Sequence, residues 1–378
     1  MSRSLVALGG GTGLAVVLRG LKQAVASSRL VSLSAVVTVT DDGGSSGRLR
    51  RDFGVLPPGD IRNCIAALAD DEDLLTRLFQ YRFPLRNGDR NGQLSGERPS
   101  AGQPSVGQSS VGQPSLGQSS VGQPSLGQSS GASSGDANGD PEGLFGHSFG
   151  NLFLTALAAV TGDFYQAIST VENILSVRGN ILPATLTDLR LAGRGVSGRR
   201  YDGEVQLGTA SEPLDKVWLE PADPPAFAPA VEAIQQSDLV LLGPGSLYTS
   251  ILPNLLIPGI REALRQRRAL SVLPLNLMTQ PGETDEMDAL AHVQALERQA
   301  GAGLVDVVLV HRGPLPAGRV TQYAQAGSRP VEIDRQALEA LGVEVVACDL
   351  LADGELLRHD PQKLSGAVLG LLRRPAEV

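Results

Sequence analysis

The chain has 378 residues, of which 42% are hydrophobic, so it is long enough for one large or two ordinary domains with a substantial core. Its formal net charge of −8 disfavours a general nucleic-acid-binding protein, because such proteins usually carry a broad basic face. The two cysteines, Cys64 and Cys348, lack metal-type spacing, which excludes a disulfide framework and is typical of a reducing, cytoplasmic environment. No apolar run approaches the roughly 18–20 residues that span a bilayer, so no membrane span is expected.

Short apolar runs alternate with amphipathic stretches along most of the chain. Continuous apolar runs are typical of parallel strands covered on both faces. The sequence predicts such strands at Ser4–Leu8, Ser34–Thr40, Asp238–Leu242, Ala269–Leu275, Val305–Val310 and Val343–Ala347. It predicts helices at Leu14–Lys22, Ile61–Ala69, Leu152–Val160, Phe164–Leu175, Asn254–Gln266, Thr284–Ala300 and Arg335–Leu341. This βαβα order predicts an α/β fold with an open, doubly wound, mostly parallel sheet.

Two segments depart from this order. Between about Leu186 and Trp218, glycines recur among alternating apolar residues, and we expect a small antiparallel excursion there. Residues 85–143 form a low-complexity tract in which GQPS and GQSS units repeat with a period of ten. Such a tract buries too little apolar area to offset its ordering entropy, so it is expected to be disordered. We therefore predict one domain over residues 1–378 with a disordered insertion at 85–143.

The first predicted strand leads into the glycine-rich stretch Gly9–Gly13. Glycines let backbone N–H groups approach an anion, and a following helix N-terminus adds partial positive charge. Gly10, Gly11 and Thr12 are therefore candidate phosphate-binding residues. The spacing matches neither the dinucleotide nor the Walker pattern, which disfavours NAD and a P-loop nucleotidase. A tight strand–helix turn without a ligand is the alternative.

The second predicted strand ends in a charged and hydroxyl-rich stretch. Carboxylates there could bind a ribose hydroxyl or Mg²⁺, and a backbone nest with serine hydroxyls could bind phosphate. The alternative is a simple Asp-Gly turn, which the following arginines make less attractive because arginine suits bidentate phosphate contacts. The candidates are Asp41, Asp42, Ser45, Ser46 and Arg48, followed by Arg50 and Arg51.

Further along, "PPGDIRN" predicts a helix start with Asp60 as its N-cap, and Arg62 and Asn63 are secondary pocket candidates. The sequence "GHSFG" formally matches the nucleophile elbow of serine hydrolases at Ser148, although no strand is predicted before it. The residues that would complete its triad are Asp306, His311, Asp349 and His359. A helix start that lines an anion site is the favoured interpretation of this stretch.

Two later strands end in similar loops. "GPGSLYTS" offers Gly243, Gly245 and Ser246 as a third anion-binding turn. "NLMTQPGET" offers Asn276, Thr279 and Gln280 as uncharged donors suited to a base or sugar, with Thr284 as a simple helix cap in the alternative. Because ligands in doubly wound folds bind beyond the carboxyl ends of the strands, these loops are expected to share one pocket.

Motifs across most of the chain resemble those of the YvcK/GlmR family of gluconeogenesis factors, and more remotely those of CofD, the 2-phospho-L-lactate transferase. They are "GGGTGL", "TVTDDGGSSGRLR", "PPGDIRNC", "GHSFGNL", "ENILSVRGNILPAT", "LGPGSLYTSILPNL" and "NLMTQPGET". The resemblance implies a Rossmann-like CofD fold, a cytoplasmic location and binding of UDP-N-acetylglucosamine. It also implies a regulator of cell-wall precursor supply and cell morphogenesis, with glucosamine-6-phosphate synthase as a partner in some members.

The same resemblance places the ligand-binding tyrosine and arginine of the family on Tyr323 and Arg358. The transferase relatives imply a second hypothesis, a Mg²⁺-dependent phosphoryl or nucleotidyl transfer in which Asp42 holds the metal. The continuation "SSGRLR" is closer to the regulator branch, so a regulator is the leading hypothesis and a transferase the alternative. The oligomeric state stays open, with a homo-oligomer among the alternatives.

Overall fold

The computed structural model describes residues 3–70, 74–84 and 144–373. Contacts within the chain separate residues 1–83 with 146–378 from residues 84–145, and the elements named below belong to the first of these units. The low-complexity tract 85–143 lies outside the described residues, so a single domain with a disordered insertion stays a prediction. No helix among the described residues is long and apolar enough to cross a membrane.

Ten strands occur in the described residues. In chain order they are β1 (Ser4–Gly9), β2 (Ser32–Val37), β3 (Asn180–Pro183), β4 (Arg190–Gly195), β5 (Arg200–Asp202), β6 (Leu214–Glu220), β7 (Leu239–Leu242), β8 (Leu270–Pro274), β9 (Val307–His311) and β10 (Glu344–Cys348). Seven of them form a parallel sheet in the order β10-β9-β8-β7-β1-β2-β3. The other three form a small antiparallel sheet in the order β5-β4-β6. The predicted α/β class, the parallel sheet and the antiparallel excursion are confirmed.

The helices pack on both faces of the main sheet. They are α1 (Gly11–Ala26), α2 (Gly44–Phe53), α3 (Gly59–Leu68), α4 (Leu74–Gln80), α5 (Phe149–Thr161), α6 (Phe164–Ile174), α7 (Glu204–Leu207), α8 (Ala228–Gln236), α9 (Leu252–Leu255), α10 (Pro258–Arg265), α11 (Ala289–Ala300), α12 (Ala317–Gln325), α13 (Arg335–Ala340) and α14 (Pro361–Leu372), with a π-helical turn at Leu247–Ile251. Along β1, Leu5 and Ala7 join a core with α1, α3 and α14, while Val6 and Leu8 join a core with α8, α10 and α11. Two buried faces explain why the strands read as continuous apolar runs.

The strand order reverses between β1 and β7. The chain runs outward from β1 to β2 and β3 on one side, and from β7 to β10 on the other. The carboxyl ends of β1 and β7 are therefore the switch point at which ligands bind in doubly wound folds. The loops that meet there are those after β1, β2, β7 and β8.

Several predicted elements have other bounds in the structure. The helix predicted over Asn254–Gln266 is divided into α9 and α10, because Pro258 holds the preceding Ile257 in an extended conformation. The helix predicted from Thr284 begins only at Ala289, after Asp288, whose side chain accepts a 2.7 Å hydrogen bond from the Ala291 N–H. The prediction of Thr284 as a cap is wrong, since its hydroxyl accepts from the Gln280 N–H instead.

Candidate ligand-binding site

The loop between β1 and α1 approaches its neighbours so closely that it has no room for side chains. A Cβ on Gly10 would lie 2.5 Å from Thr38 Cγ2 and 2.6 Å from Asp60 Oδ2, and one on Gly13 would collide with the Pro244 carbonyl. Gly11 donates its N–H to the Asp60 carboxylate. Thr12 is exposed in the first turn of α1. The glycines thus bring backbone groups next to a carboxylate, which the sequence pattern alone did not indicate.

Asp60 is a buried carboxylate in the floor of the site and does not cap a helix. The helix α3 begins at Gly59, with Pro58 at the N-cap position, so the prediction of Asp60 as the cap is wrong. Burial and the nearby charge of Asp41 raise the Asp60 pKa to about 7. Its Oδ2 has no hydrogen-bond partner although the residue is only 6% exposed. This oxygen is available to a proton, a hydroxyl group or a cation.

Asp41 lies beside Asp60. It accepts a 2.9 Å hydrogen bond from the Gly43 N–H and a second one from the Ser46 hydroxyl. Partial burial raises the pKa of Asp41 in spite of these bonds. The stretch predicted as a backbone nest is instead the first turn of α2, where Ser45 and Ser46 are both buried.

Asp42 points away from this pair. Its Oδ1 accepts from the Val205 N–H at 3.0 Å, so it binds the first turn of α7, and its side chain lies against Gly203. Within residues 3–70, 74–84 and 144–373, no group of three or more His, Cys, Asp or Glu side chains is arranged to hold a metal ion. A metal at Asp42 stays a prediction, and Asp60 offers the freer oxygen.

Two glutamates that the sequence did not single out, Glu204 and Glu283, lie in the same group as Asp41 and Asp60. We call these four carboxylates the acidic floor. Burial, followed by the charges of Asp60, Asp41, Asp42 and Glu283, raises the Glu204 pKa well above its usual value. Glu283 is 4% exposed, and burial raises its pKa to about 7, although it accepts a 3.1 Å hydrogen bond from Thr249 Oγ1. Glu283 lies in the quoted stretch "NLMTQPGET", whereas nothing around Glu204 marked it.

Basic groups line another side of the same region. Burial, together with the charge of Arg82, lowers the Arg62 pKa to about 10, and Arg62 Nη2 donates to Asn63 Oδ1 at 2.6 Å. The charges of Asp60 and Asp41 act on Arg62 in the opposite direction, which places it within electrostatic reach of the acidic floor. Burial, followed by the positive charge of Arg48, lowers the pKa of His147. Arg50 is engaged elsewhere, in a 2.7 Å ion pair with Asp188.

The stretch around Ser148 forms a structural network. Ser148 is fully buried and caps α5 by accepting from the Asn151 N–H at 3.3 Å, and a turn precedes it where a nucleophile elbow needs a strand. The elbow interpretation is therefore wrong. His147 Nδ1 lies 2.8 Å from Ser45 Oγ, which also accepts from Asn151 Nδ2 at 3.0 Å. These contacts fix α2 against α5.

The predicted triad partners of Ser148 are engaged in other parts of the fold. Asp306 pairs with Arg267 at 2.9 Å. His311 accepts from the Leu350 N–H, and His359 hydrogen-bonds the backbone of Leu275. Asp349 pairs with Lys363 at 2.8 Å.

The loops after β7 and β8 join the first two. Asn254 Nδ2 donates to the Gly9 carbonyl at 3.2 Å, and Asn276 Nδ2 donates to the Gly245 carbonyl at 3.0 Å. Ser246 accepts from Gln280 Nε2 at 2.8 Å and donates to Glu283. Gly243 has a φ of +90°, a conformation that favours glycine. The three glycine and hydroxyl loops predicted from the sequence thus converge at one end of the sheet.

Comparison with known proteins assigns this chain to a family. Residues 5–351 match the family described as 2-phospho-L-lactate transferase CofD. The chain belongs to the CofD family. A crystal structure of a UPF0052-family protein from Bacillus halodurans, 38% identical, superimposes on this CofD-family protein with a TM-score of 0.78 over 98% of this chain and 99% of the other.

Curated relatives narrow the branch of the CofD family. Proteins named Gluconeogenesis factor from Halalkalibacterium halodurans and Bacillus subtilis are 39% and 36% identical, each over 97% of this chain and 96% of the relative. A protein from Nostoc sp., provisionally given the same name, is 42% identical over 97% of this chain and 68% of its own length. This CofD-family protein is thus a member of the gluconeogenesis-factor branch.

Tyr323 and Arg358 of this CofD-family protein form a second group. The Tyr323 hydroxyl accepts from the Leu357 N–H at 3.2 Å, so α12 contacts the segment that carries the exposed Arg358. Tyr323 also packs with Leu277 and Met278 from the loop after β8. That loop connects the second group to the glycine loops, since its Asn276 bonds Gly245.

Proposed function

We propose that this CofD-family protein binds UDP-N-acetylglucosamine and acts as a regulator of cell-wall precursor supply and cell morphogenesis. The observation that carries the proposal is the convergence of the loops after β1, β7 and β8 on a set of buried carboxylates. The relatives named Gluconeogenesis factor support a role in carbon metabolism. It would report sugar-nucleotide level through a partner such as glucosamine-6-phosphate synthase.

The two kinds of polar group in the site fit the two halves of a sugar nucleotide. Arg62, Arg48 and the glycine-loop amides are donors suited to phosphate oxygens. Asp41, together with the free Oδ2 of Asp60, is an acceptor suited to sugar hydroxyls. A purely anionic ligand would gain nothing from the carboxylates, whereas a glycosylated diphosphate uses both. A cytoplasmic location is proposed with it, since Cys64 and Cys348 are both free thiols.

Calorimetric titration of UDP-N-acetylglucosamine into the full chain tests this proposal. We expect micromolar binding, about −8 kcal/mol, and at least a tenfold loss of affinity in Arg358→Ala, because a positive charge that contacts the anionic ligand is removed. The matched control is Arg373→Ala, an exposed arginine at the end of α14, which should bind as the wild type does. Absence of binding to the wild type would refute the proposal.

A Mg²⁺-dependent transferase is the second candidate, and the unpartnered Asp60 Oδ2 favours it. Magnesium ions are commonly held by one or two carboxylates together with substrate phosphates, and Asp60 and Asp41 could supply such oxygens. The metal would neutralise charge on a transferring phosphoryl group. Phosphorus NMR of UDP-N-acetylglucosamine incubated with protein and Mg²⁺ distinguishes the two functions. New phosphorus signals that need both would establish the transferase, and an unchanged spectrum is expected for a regulator.

A further inference from the structure

A cavity of about 540 Å³ lies between the carboxyl ends of β8 and β9 and the helix α12. Its walls are mostly apolar, with Leu275, Leu277, Val310, Val320 and Val331 among them. Cavities of roughly 300–1,000 Å³ with apolar walls and a few oriented polar groups are typical of small-molecule sites. The walls are unsuited to a hexosamine, whose hydroxyls would lose their hydrogen bonds there.

Two polar side chains, those of Asn276 and His311, line this cavity. Asn276 follows the end of β8, and His311 is the last residue of the neighbouring parallel strand β9, in which Leu309 pairs with Pro274 of β8. Neighbouring strands lie roughly 4.8 Å apart, so the two side chains come from adjacent strand ends. His311 Nδ1 accepts the Leu350 N–H at 3.1 Å, so in the neutral ring the proton is on Nε2, which becomes a donor. Asn276 uses its Nδ2 on Gly245, which leaves its Oδ1 as an acceptor.

A donor beside an acceptor is complementary to one edge of a planar heterocycle. The imide edge of a pyrimidine presents a carbonyl oxygen next to an N–H, which would pair with His311 Nε2 and Asn276 Oδ1 respectively. The flat faces of such a ring suit apolar walls. The chemistry of the cavity thus matches a nucleobase better than a sugar or a phosphate.

The cavity adjoins the loops that are proposed to bind phosphate. Asn276 lines it and also bonds the Gly245 carbonyl, and Gln280 from the same loop bonds Ser246. A ligand whose phosphates lie against the loops after β1 and β7 therefore reaches the cavity by passing over the loop after β8. A nucleoside diphosphate has its base and its phosphates at such a separation.

The outer wall of the cavity is weakly attached. The helix α12 buries none of its side chains, and Gly313 and Gly327 on either side of it have φ values of +108° and +81°. Segments with few buried apolar contacts open at low cost in free energy. The helix can therefore adjust its position when a ligand enters the cavity.

We propose that the cavity under α12 binds the nucleobase of a nucleotide ligand, with His311 and Asn276 as the groups that recognise it. The inference rests on the proposed sugar-nucleotide function and assigns one part of that ligand to one part of the fold. Uracil is the base expected, since both its imide edge and its flat ring fit the cavity.

The test blocks the cavity from its exposed side. Thr321 lines the cavity on α12 and is exposed, so Thr321→Trp should fill the space without disturbing the core, and Thr321→Ala is the matched control. The probes are UDP-N-acetylglucosamine, UDP and N-acetylglucosamine 1-phosphate, which has no base. We expect Thr321→Trp and His311→Phe to weaken the first two at least tenfold and leave the third unchanged. Thr321→Ala should stay within about twofold of the wild type for all three.

The outcomes separate this inference from the proposed function. Undiminished UDP-N-acetylglucosamine binding by Thr321→Trp would overturn the base site and leave the function standing. If the wild type binds neither UDP nor its sugar derivative, the proposed function fails. Titration of ADP and GDP then decides the inference. A nucleotide that binds the wild type at least tenfold better than Thr321→Trp supports a base site, and none that does so overturns it. Hydrogen exchange of residues 313–327 should slow when the bound nucleotide is present.

Discussion

At the scale of single residues, the ionised form of Asp60 is energetically unfavourable in the folded protein. Its carboxyl is 6% exposed, its Oδ2 is unpartnered, and its pKa is about 7 in the folded protein against an ordinary value of 3.8. The folded state therefore disfavours the ionised form. Perturbed pKa values are common at functional sites, and Asp60 also lies directly against the glycine loop after β1, so we place it in the ligand site.

Replacement of Asp60 by asparagine is expected to change how stability depends on pH. Between pH 4 and 7 the folded protein binds more protons at Asp60 than the unfolded chain does, so the free energy of unfolding falls as the pH rises through this window. Three pKa units correspond to about 4 kcal/mol, lost in full above pH 7. The Asp60→Asn variant should lose less stability between pH 4.5 and 7.5 in urea denaturation.

Glu172→Gln supplies the control for this measurement. Burial raises the Glu172 pKa to about 7 as well, but its carboxylate accepts from the Ile181 N–H, outside the ligand site. This variant should likewise flatten the pH profile and keep the wild-type affinity for UDP-N-acetylglucosamine. Equal pH profiles for the wild type and Asp60→Asn would contradict the assignment.

The sequence predicted site residues whose type restricts the backbone conformation, such as glycine. It did not predict which residues far apart in sequence lie next to one another. Gly10 was a candidate because a glycine-rich turn between a strand and a helix indicates either an anion-binding loop or a tight turn. Glu204 was not a candidate. It lies on α7, which follows β5 and contacts the carboxyl end of β2, where Thr40 Oγ1 donates to Glu204 Oε2 at 3.4 Å. Asp42 was assigned to the ligand, but its partner Val205 is 163 positions away in sequence. Proximity of this kind is a property of the fold and leaves no local pattern.

At the scale of elements, the start of α5 shows that a sequence matching the nucleophile-elbow motif can instead be a helix N-cap. A serine before a helix stabilises it by accepting from an N–H of the first turn, and Ser148 does this for Asn151. We expect Ser148→Ala to lower the free energy of unfolding by about 1 kcal/mol. Asp163→Ala at the N-cap of α6 should cost a similar amount. Labelling of the wild type, and not of Ser148→Ala, by an organophosphorus probe would show instead that Ser148 is a nucleophile.

Periodicity predicted most strands of the main sheet and about half of the helices. It did not predict some of their bounds, the strand β3, or the helices α2, α4, α7, α8, α12 and α14. β1, β7, β8 and β9 were predicted because buried parallel strands are continuously apolar. The helix α2 was missed because Gly44, Ser45, Ser46 and Gly47 have low helix propensity, which the buried contacts of Ser45 and Leu49 override. The break between α9 and α10 was available from Pro258, whose ring disfavours a helical residue before it.

At the scale of the whole molecule, the charge of the site opposes the charge of its proposed ligand. Asp60 and Glu283 have pKa values of about 7, and Glu204 titrates well above its usual range. The diphosphate diester of UDP-N-acetylglucosamine keeps its negative charge between pH 6 and 8. Ionisation of the carboxylates in that range therefore adds repulsion without changing the ligand, and Arg62 alone does not cancel it.

The pH dependence of affinity consequently distinguishes a metal-free regulator from a metal-dependent enzyme. Without Mg²⁺, protonation of Asp60 and Glu283 removes repulsion, so affinity for UDP-N-acetylglucosamine should increase several-fold from pH 8 to pH 6, with proton uptake on binding. If Mg²⁺ bridges the carboxylates and the phosphates, the carboxylates must be ionised, and affinity in its presence should instead decrease over the same range. Calorimetry at both pH values, in buffers of different ionisation enthalpy and with or without Mg²⁺, measures both quantities. An affinity independent of pH under both conditions would mean that the phosphates lie beyond the influence of the carboxylates, and would remove the acidic floor from the site.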